Sequence, residues 1–350
     1  MKQEAEKIYN IEHADNVVID MCELNKAIDR IPELIETTIA MVLSRYSPDD
    51  TICHYNAPVS LKSKPESSYN AGDIVLSHWQ IDGCIGKGSI GSVYEAHHTG
   101  HGALYRSAIK VINSSLLSSP IGEDASHTNF NASYMVEQEL DNLVELKGTG
   151  YIVDYEDHEK VTYSDGSWGI IIRMELLEPL RGKMLSENEV VRLGIDICKA
   201  LEFCTASNII HCDVKPSNIY TTKWGGYKLG EFSASKKIRD WQEHDRIGTL
   251  KYMAPEVFSG KPFSSNIDTY SLGLVMYEML GGNRTKSMAD REEALSRRFS
   301  GEPLAPLPNA GRKLQSIILK ACAYDPKDRY SSPTEMLNEL SKVKRQSRWG

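Results

Sequence analysis

A short run of the chain combines an acid, an amine and an amide within one loop. It reads His211-Cys212-Asp213-Val214-Lys215-Pro216-Ser217-Asn218. The carboxylate of Asp213 can accept the proton of an attacking hydroxyl group. The ammonium group of Lys215 can neutralise a transferring phosphate, and the amide oxygen of Asn218 can ligate Mg²⁺. These residue types at this spacing indicate phosphoryl transfer to a hydroxyl group.

A second run is rich in glycine and reads Gly86-Lys87-Gly88-Ser89-Ile90-Gly91-Ser92-Val93. Glycines allow a tight turn between two strands, whose bare N–H groups can cover phosphates. A dinucleotide-binding fold would need a helix directly after the last glycine. Strand-like residues follow here instead, which favours a phosphate-covering hairpin. The residues predicted to contact nucleotide in this hairpin are Gly86, Lys87, Gly88, Ser89, Gly91 and Val93.

One lysine stands inside an apolar strand, Ala108-Ile109-Lys110-Val111. Burial of an unpaired charge is costly, so this position requires an explanation. One explanation is an edge strand from which the lysine reaches solvent. The other is a lysine that grips the α- and β-phosphates and is held by a carboxylate on the next helix. Glu139 is the first candidate for that carboxylate, and Glu137 is the second.

Together these signals resemble the eukaryotic-like Ser/Thr protein kinase family over about residues 79 to 345. Further pieces of that family's pattern follow in order: Met174-Glu175-Leu176-Leu177, Ala254-Pro255-Glu256, Asp268 and Asp325-Pro326-Lys327-Asp328-Arg329. The resemblance implies an α+β fold of two lobes and the transfer of the γ-phosphate of Mg-ATP to Ser or Thr hydroxyls of a protein substrate. ATP and Mg²⁺ are therefore the expected cofactors.

The resemblance also implies a role for each matching residue. Backbone groups of Glu175 and Leu177 would hold adenine, with Ala108 beside it. Asp268 would brace the catalytic loop from below, and Arg329 would pair with the glutamate of the Ala-Pro-Glu motif. The expected catalytic residues are Asp213, Lys215, Lys110 and Glu139, and the expected metal ligands are Asn218 and Glu231.

Two positions bear on the substrate class. In the family, a lysine two residues after the catalytic base marks Ser/Thr kinases, and Lys215 occupies that position. Thr249 matches the family's threonine on the substrate side of the cleft. The resemblance therefore implies Ser and Thr, rather than Tyr, as phosphate acceptors.

The family's Asp-Phe-Gly motif is replaced here by Glu231-Phe232-Ser233. Glutamate keeps the carboxylate but adds one methylene, about 1.5 Å of reach. Because Mg²⁺ demands near-octahedral oxygens at about 2.0–2.1 Å, we expect weaker metal binding and slower turnover. The alternative function is a pseudokinase that binds nucleotide and acts as a scaffold or allosteric partner. Retention of Lys110 and Asp213 favours the active enzyme.

A second departure is Cys212, which stands where most family members have arginine. That arginine normally receives a phosphorylated activation loop through charge-assisted hydrogen bonds. The loop itself agrees, because residues 236–248 contain no Ser, Thr or Tyr. We therefore expect that phosphorylation of the activation loop does not switch activity.

The elements that must position these residues change in type along the chain. Short β-like runs extend from Trp79 to Ile172, with one helix predicted at Tyr134–Leu146 and a polar insertion at Asn113–Asn131. Helical patterns follow from Ser186 onward. We therefore predict a kinase domain at 73–345, with a β-rich N-lobe at 73–176 and an α-helical C-lobe at 177–345. The helices predicted in the C-lobe are Val190–Ala206, Asp268–Leu280, Leu314–Ala323 and Thr334–Val343.

The residues before this domain form a separate pattern. Apolar residues recur at helical spacing within residues 1–45, which predicts a short helical N-terminal segment. Self-association or regulation through this helix and its packing on the main domain are both open interpretations. Residues 46–72 are rich in Ser, Pro, Asn and Asp and read as a linker.

Composition limits the partners and the compartment. The net charge of −8 over 350 residues argues against nucleic acid. Neither a signal peptide nor a membrane-spanning stretch is expected from the sequence. Seven scattered cysteines without metal-ligand spacing suggest reduced thiols in a cytoplasmic protein. Cys84, Cys198 and Cys204 are expected to be buried.

Overall fold

The computed structural model describes most of the chain from residue 69 to residue 346. The described ranges are 69–87, 91–113, 136–163, 167–180, 184–237, 248–281, 288–307 and 310–346. All of them belong to one compact unit, Leu61–Gly350. The predicted N-terminal helix (1–45), nearly all of the linker (46–72) and the insertion at Asn113–Asn131 beyond residue 113 lie outside the described residues.

The N-lobe is built on a six-stranded antiparallel sheet with the order β1-β2-β3-β4-β6-β5. Its strands are β1 (Ile74–Val75), β2 (Trp79–Lys87), β3 (Gly91–His98), β4 (Gly102–Asn113), β5 (Tyr155–Thr162) and β6 (Trp168–Glu175). The β2–β3 hairpin carries the glycine-rich run, and a strand follows the last glycine as expected.

The two faces of this sheet are buried by different partners. Alternate residues of β4 point to opposite faces. Ile109 and Val111 join an apolar cluster on one face. Ile112 joins Leu140 and Leu143 of helix α1 (136–145) in the main core. Lys110 therefore lies on the face of β4 that is turned toward α1.

The C-lobe is mainly helical. Its helices are α2 (Glu187–Ala206), α3 (Pro255–Phe258), α4 (Asn266–Met279), α5 (Met288–Phe299), α6 (Arg312–Ala321) and α7 (Pro333–Gln346). Helix α2 begins with a capping box in which Ser186 and Glu189 satisfy each other's backbone N–H groups. Helix α4 is buried around nearly its whole circumference, so it forms the central support of this lobe.

Five short strands carry the loops of the candidate site. They are β7 (Glu178–Pro179), β8 (Ile209–Ile210), β9 (Ile219–Thr221), β10 (Tyr227–Leu229) and β11 (Lys236–Lys237). β7 precedes α2, and the other four lie between α2 and α3. β7, β9 and β10 form one small sheet, and β8 pairs with β11. Residues 211–218 connect β8 to β9, and residues 230–235 connect β10 to β11. Because β9 pairs with β10 and β8 pairs with β11, the two loops run side by side.

The predicted two-lobed α+β architecture is confirmed. The predicted helices agree with the observed ones to within about three residues at each end that lies in the described ranges. One burial prediction is wrong, because Cys84 is exposed on the glycine hairpin whereas Cys198 and Cys204 are buried. Among the helices in the described ranges, none has the length and apolarity that crossing a membrane requires.

Candidate active site

A cavity of about 490 Å³ is lined by residues of both lobes. This volume lies in the range that proteins use to bind small molecules. Gly88 and Ser89 lie outside the described residues. All other predicted site residues line the cavity: Gly86, Lys87, Gly91, Val93, Ala108, Lys110, Glu139, Glu175, Leu177, Asp213, Lys215, Asn218 and Glu231.

Lys110 is the most deeply buried cation of the cavity wall, with 3% of its surface exposed. Its Nζ lies 2.6 Å from Oε1 of Glu139 and 2.5 Å from Oε1 of Glu231. Burial alone would lower the pKa of Lys110, but the two carboxylates outweigh burial and raise it. Glu137 is exposed, so Glu139 is the helical partner.

Three neighbouring side chains donate hydrogen bonds to the carboxylate of Asp213. Its Oδ1 accepts a hydrogen bond of 2.7 Å from Thr249 Oγ1, and its Oδ2 lies 2.7 Å from Lys215 Nζ. The amide of Asn218 donates to Oδ2 and to the backbone carbonyl of Asp213. Burial would raise the pKa of the Asp213 carboxyl, but the hydrogen bonds from Lys215 and Thr249 outweigh it and the net shift is downward. Asp213 is therefore ionised near neutral pH.

The buried side chain of Asp268 supports the loop of residues 211–218. Its two carboxylate oxygens accept hydrogen bonds from the backbone N–H groups of His211 (2.8 Å) and Cys212 (2.9 Å). The His211 ring donates to the carbonyl of Gly230 and packs edge-on against Phe232. These contacts join the loop that carries Asp213 to the loop that carries Glu231.

A close backbone approach sets the position of Thr249. The preceding residue, Gly248, has φ of +97°, and a Cβ atom there would lie 2.2 Å from the carbonyl oxygen of Cys212. Such a distance is a clash, so only glycine allows this approach. Lys215 Nζ also donates to the Thr249 hydroxyl, at 2.9 Å. Thr249 is thereby fixed between Asp213 and Lys215.

The structure also confirms the pairing expected for Glu256. Its two oxygens lie 2.6 and 2.7 Å from the guanidinium nitrogens of Arg329, and both side chains are buried. This bidentate pair fixes α3, which directly follows the segment that carries Thr249.

Asn218 and Glu231 offer an amide oxygen and a carboxylate on the wall of one cavity. Mg²⁺ takes such oxygen ligands, and it usually needs only one or two from the protein because waters and phosphates supply the others. The donor chemistry therefore fits the metal. The described residues contain no group of three or more His, Cys, Asp or Glu side chains that could hold a metal.

Glu175 lies in the hinge, the segment Met174-Glu175-Leu176-Leu177 between the two lobes, and its side chain forms an ion-pair network. Its Oε1 lies 2.5 Å from Lys228 Nζ and accepts a hydrogen bond from the backbone N–H of Asp154. Lys228 also pairs with the Asp154 carboxylate at 2.8 Å. This triad connects the hinge to β10, the strand that leads to Glu231. No sequence motif indicated it, because its members are far apart in the chain.

Several residues that line the cavity were not predicted from the sequence. Most of them are single side chains brought in by the fold, and they match no motif. They are Ile85, Glu95, Leu143, Val153, Leu176, Glu178, Pro179, Ser217, Tyr220 and Ser233. Leu176, Ser217 and Ser233 could have been found, because all three lie inside motifs that were recognised.

Comparison with known proteins agrees with this geometry. The sequence model of one protein family, described as the protein kinase domain, matches residues 79–340. The chain is 26% identical to the probable serine/threonine-protein kinase PknB of Corynebacterium glutamicum, over 78% of this chain and 43% of the relative. It is 28% identical to a probable serine/threonine-protein kinase of Streptomyces coelicolor, over 74% of this chain and 38% of the relative.

A eukaryotic protein is similar to a comparable degree. The cAMP-dependent protein kinase type 3 of Saccharomyces cerevisiae is 30% identical, over 65% of this chain and 54% of the relative. The similarity thus spans about half, or less, of each of these relatives. The family model alone covers well over half of the chain, and the chain belongs to the protein kinase family.

Proposed function

We propose that this protein binds Mg-ATP in the cavity and transfers its γ-phosphate to Ser or Thr hydroxyls of a protein substrate. The observation that carries the proposal is the convergence of Lys110, Asp213 and Asn218 on one cavity from distant parts of the chain. A cation for phosphates, a base for a hydroxyl and an oxygen ligand for Mg²⁺ are the parts that phosphoryl transfer requires.

The N-lobe would hold the nucleotide. Backbone groups of Glu175 and Leu177 would bind adenine beside Ala108, and the β2–β3 hairpin would cover the phosphates. Lys110 has three N–H donors, of which Glu139 and Glu231 receive two. Within the described ranges no other acceptor takes the third donor, which leaves it for a phosphate oxygen.

The C-lobe would supply the acceptor side of the reaction. The substrate hydroxyl oxygen forms a bond to the γ-phosphorus while the bond from that phosphorus to the β–γ bridging oxygen breaks, and ADP leaves. Asp213 orients the hydroxyl group and accepts its proton. Lys215 balances the charge on the transferring group. When bound at Asn218 and Glu231, Mg²⁺ would neutralise phosphate charge.

The acceptor class follows from the substrate side of the cavity. Lys215 and Thr249, the two positions that the resemblance connects with Ser/Thr kinases, both contact Asp213. The relatives reported above are named as serine/threonine kinases or as a cAMP-dependent protein kinase. Both observations support Ser and Thr as acceptors.

We expect no phosphorylation switch in the activation loop. Cys212 is 8% exposed and its thiol points to the carbonyl of Ile210, so it offers no cation to a phosphate. Residues 236–248 contain no hydroxyl acceptor. Mapping phosphosites on purified protein tests this expectation. A fully modified Thr249 in a more active enzyme would contradict it.

The decisive test is metal-dependent transfer of ³²P from [γ-³²P]ATP to a generic basic protein. We expect transfer by the parent and at least a hundredfold less by Asp213→Asn, because general-base catalysis typically contributes about 10²–10⁴. Full activity of Asp213→Asn would overturn the assignment of the base.

The second candidate function is a pseudokinase that binds nucleotide without turnover. Glu231 favours it, since this longer carboxylate is already engaged by Lys110. Thermal stabilisation by ATP without any phosphate transfer would support this alternative over the first proposal.

A further inference from the structure

The two departures from the Asp-Phe-Gly pattern contact each other. The hydroxyl group of Ser233 donates a hydrogen bond of 2.7 Å to Oε1 of Glu231. The same oxygen receives Lys110 Nζ at 2.5 Å. Two donors from different elements thus meet on one carboxylate oxygen. Glycine at position 233 would supply no such donor.

The other oxygen of Glu231 is left for a ligand. Oε2 accepts no hydrogen bond from the part of the chain that the structure describes, and the side chain is 27% exposed on the cavity wall. The backbone of Glu231 has φ of +63°, an uncommon value for a residue with a side chain. The side chain of Glu231 lines the cavity, and the two donors fix its far end.

A glutamate in this position needs such fixing more than an aspartate would. Its side chain has one more rotatable bond, and ordering a glutamate costs more conformational entropy. Lys110 alone cannot set the carboxylate orientation, because Glu139 also holds its ammonium group. A short hydrogen bond from Ser233, two residues further along the same loop, supplies the second fixed point.

We propose that Ser233 is a positioning residue that compensates for the longer arm of Glu231, by holding Oε1 so that Oε2 faces the metal and nucleotide site. This inference rests on the proposed binding of Mg-ATP. It makes the Glu231 and Ser233 substitutions one coupled change. A serine with a merely structural role would act on stability alone, independently of the residue at position 231.

The test is a double-mutant cycle with Ser233→Gly, Glu231→Asp and the combined variant. The readout is the Mg²⁺ concentration that gives half-maximal ATP binding by calorimetry, measured beside the melting temperature. Ser233→Thr is the conservative variant that keeps the hydroxyl group. Ser316→Ala is the matched control, because its exposed hydroxyl bonds only to the carbonyl of Lys313, away from the cavity.

We expect Ser233→Gly to raise the half-saturating Mg²⁺ concentration about fivefold or more, as befits loss of a hydrogen bond to a charged group. Ser233→Thr should stay within about twofold of the parent, and Ser316→Ala should match it. In the Glu231→Asp background, Ser233→Gly should change the value less than about twofold.

Two outcomes would overturn the inference alone. One is an unchanged Mg²⁺ requirement in Ser233→Gly, and the other is an equal rise in both backgrounds. Failure of the parent to bind ATP in any Mg²⁺-dependent way would overturn the proposed function, and this inference with it.

Discussion

Lys110 connects three parts of the molecule through a single ammonium group. It belongs to the sheet, its partner Glu139 belongs to α1, and Glu231 belongs to the loop after β10. A buried ion pair of this kind is weak evidence for stability, because desolvation offsets the attraction. The ion pair instead fixes the position of the ammonium group, which is held at one point of the cavity.

The first prediction concerns the substitution Glu231→Asp. The shorter carboxylate suits the octahedral geometry of Mg²⁺ better, so we expect kcat for phosphate transfer to rise above that of the parent. Steady-state kinetics at saturating ATP and Mg²⁺ measure the effect. If kcat does not rise, the length of Glu231 is not what limits turnover.

The second prediction concerns pH. The pKa of Asp213 is lowered, so its carboxylate is lost only as the pH falls below the usual aspartate value of about 3.9. The pKa of Lys110 is raised, so its charge is lost only above the usual lysine value of about 10.4. We therefore expect neither group to cause an inflection of kcat/KM between about pH 5 and 9.

A profile of kcat/KM for the protein substrate, taken at saturating Mg-ATP, tests the pH prediction. Titrations of the substrate itself are identified by repeating the profile with a second substrate. Burial raises the pKa of Glu139, so the profile is repeated with Glu139→Gln. A substrate-independent inflection inside this range that persists in that variant would contradict the prediction.

Helix α1 is fastened to the segment that follows Phe232 by contacts that need no phosphate. The amide of Asn142 donates to the Ser235 hydroxyl at 2.9 Å, and that hydroxyl donates to the carbonyl of Phe232. Near the end of the helix, Glu145 lies 2.6 Å from Lys237 Nζ. Because α1 carries Glu139, these contacts help to keep Glu139 on Lys110.

The third prediction follows from this attachment. We expect Lys237→Met to raise the KM for ATP about two- to fivefold, because an exposed pair contributes up to about 1 kcal/mol. The control is Lys313→Met, which breaks the Lys313–Glu339 pair between α6 and α7. An equal rise of KM in both variants would show that the effect is not transmitted through α1.

Ligand binding should stabilise the whole folded unit, since the cavity walls come from both lobes. As the fourth prediction, we expect Mg-ATP at about 100 times its Kd to stabilise the protein by about 2.7 kcal/mol, a rise in Tm of about 5–10 °C. Differential scanning fluorimetry measures this shift. Lys110→Met should reduce it strongly, and an undiminished shift would place the nucleotide elsewhere.

The features that could be predicted are those that local sequence patterns indicate. The strand after Gly91, the Glu139 partner of Lys110 and the Glu256–Arg329 pair were all expected and are all present. The link from Ser233 to Glu231 was not expected, because the motif shows only that serine replaces the family's glycine and not which group its hydroxyl meets. Motifs name residues one position at a time, whereas such a contact depends on where two side chains end.

The Lys228 triad and the exposure of Cys84 escaped prediction for the same reason. Lys228 meets Asp154 and Glu175 only because β10 passes beneath the hinge. Cys84 lies in β2 next to a register irregularity, so its side chain does not follow simple alternation. Periodicity in a sequence does not reveal either circumstance.

The close approach of Gly248 to Cys212 has a practical consequence. Exchange of a catalytic lysine or aspartate alters the charge of the cleft and so disturbs ligand affinity as well as turnover. A single added methyl group at Gly248 would instead displace Thr249 from Asp213 and leave every charge of the cleft in place. Gly248→Ala would thus offer an electrically neutral way to silence the enzyme, which suits experiments that must separate catalysis from nucleotide occupancy.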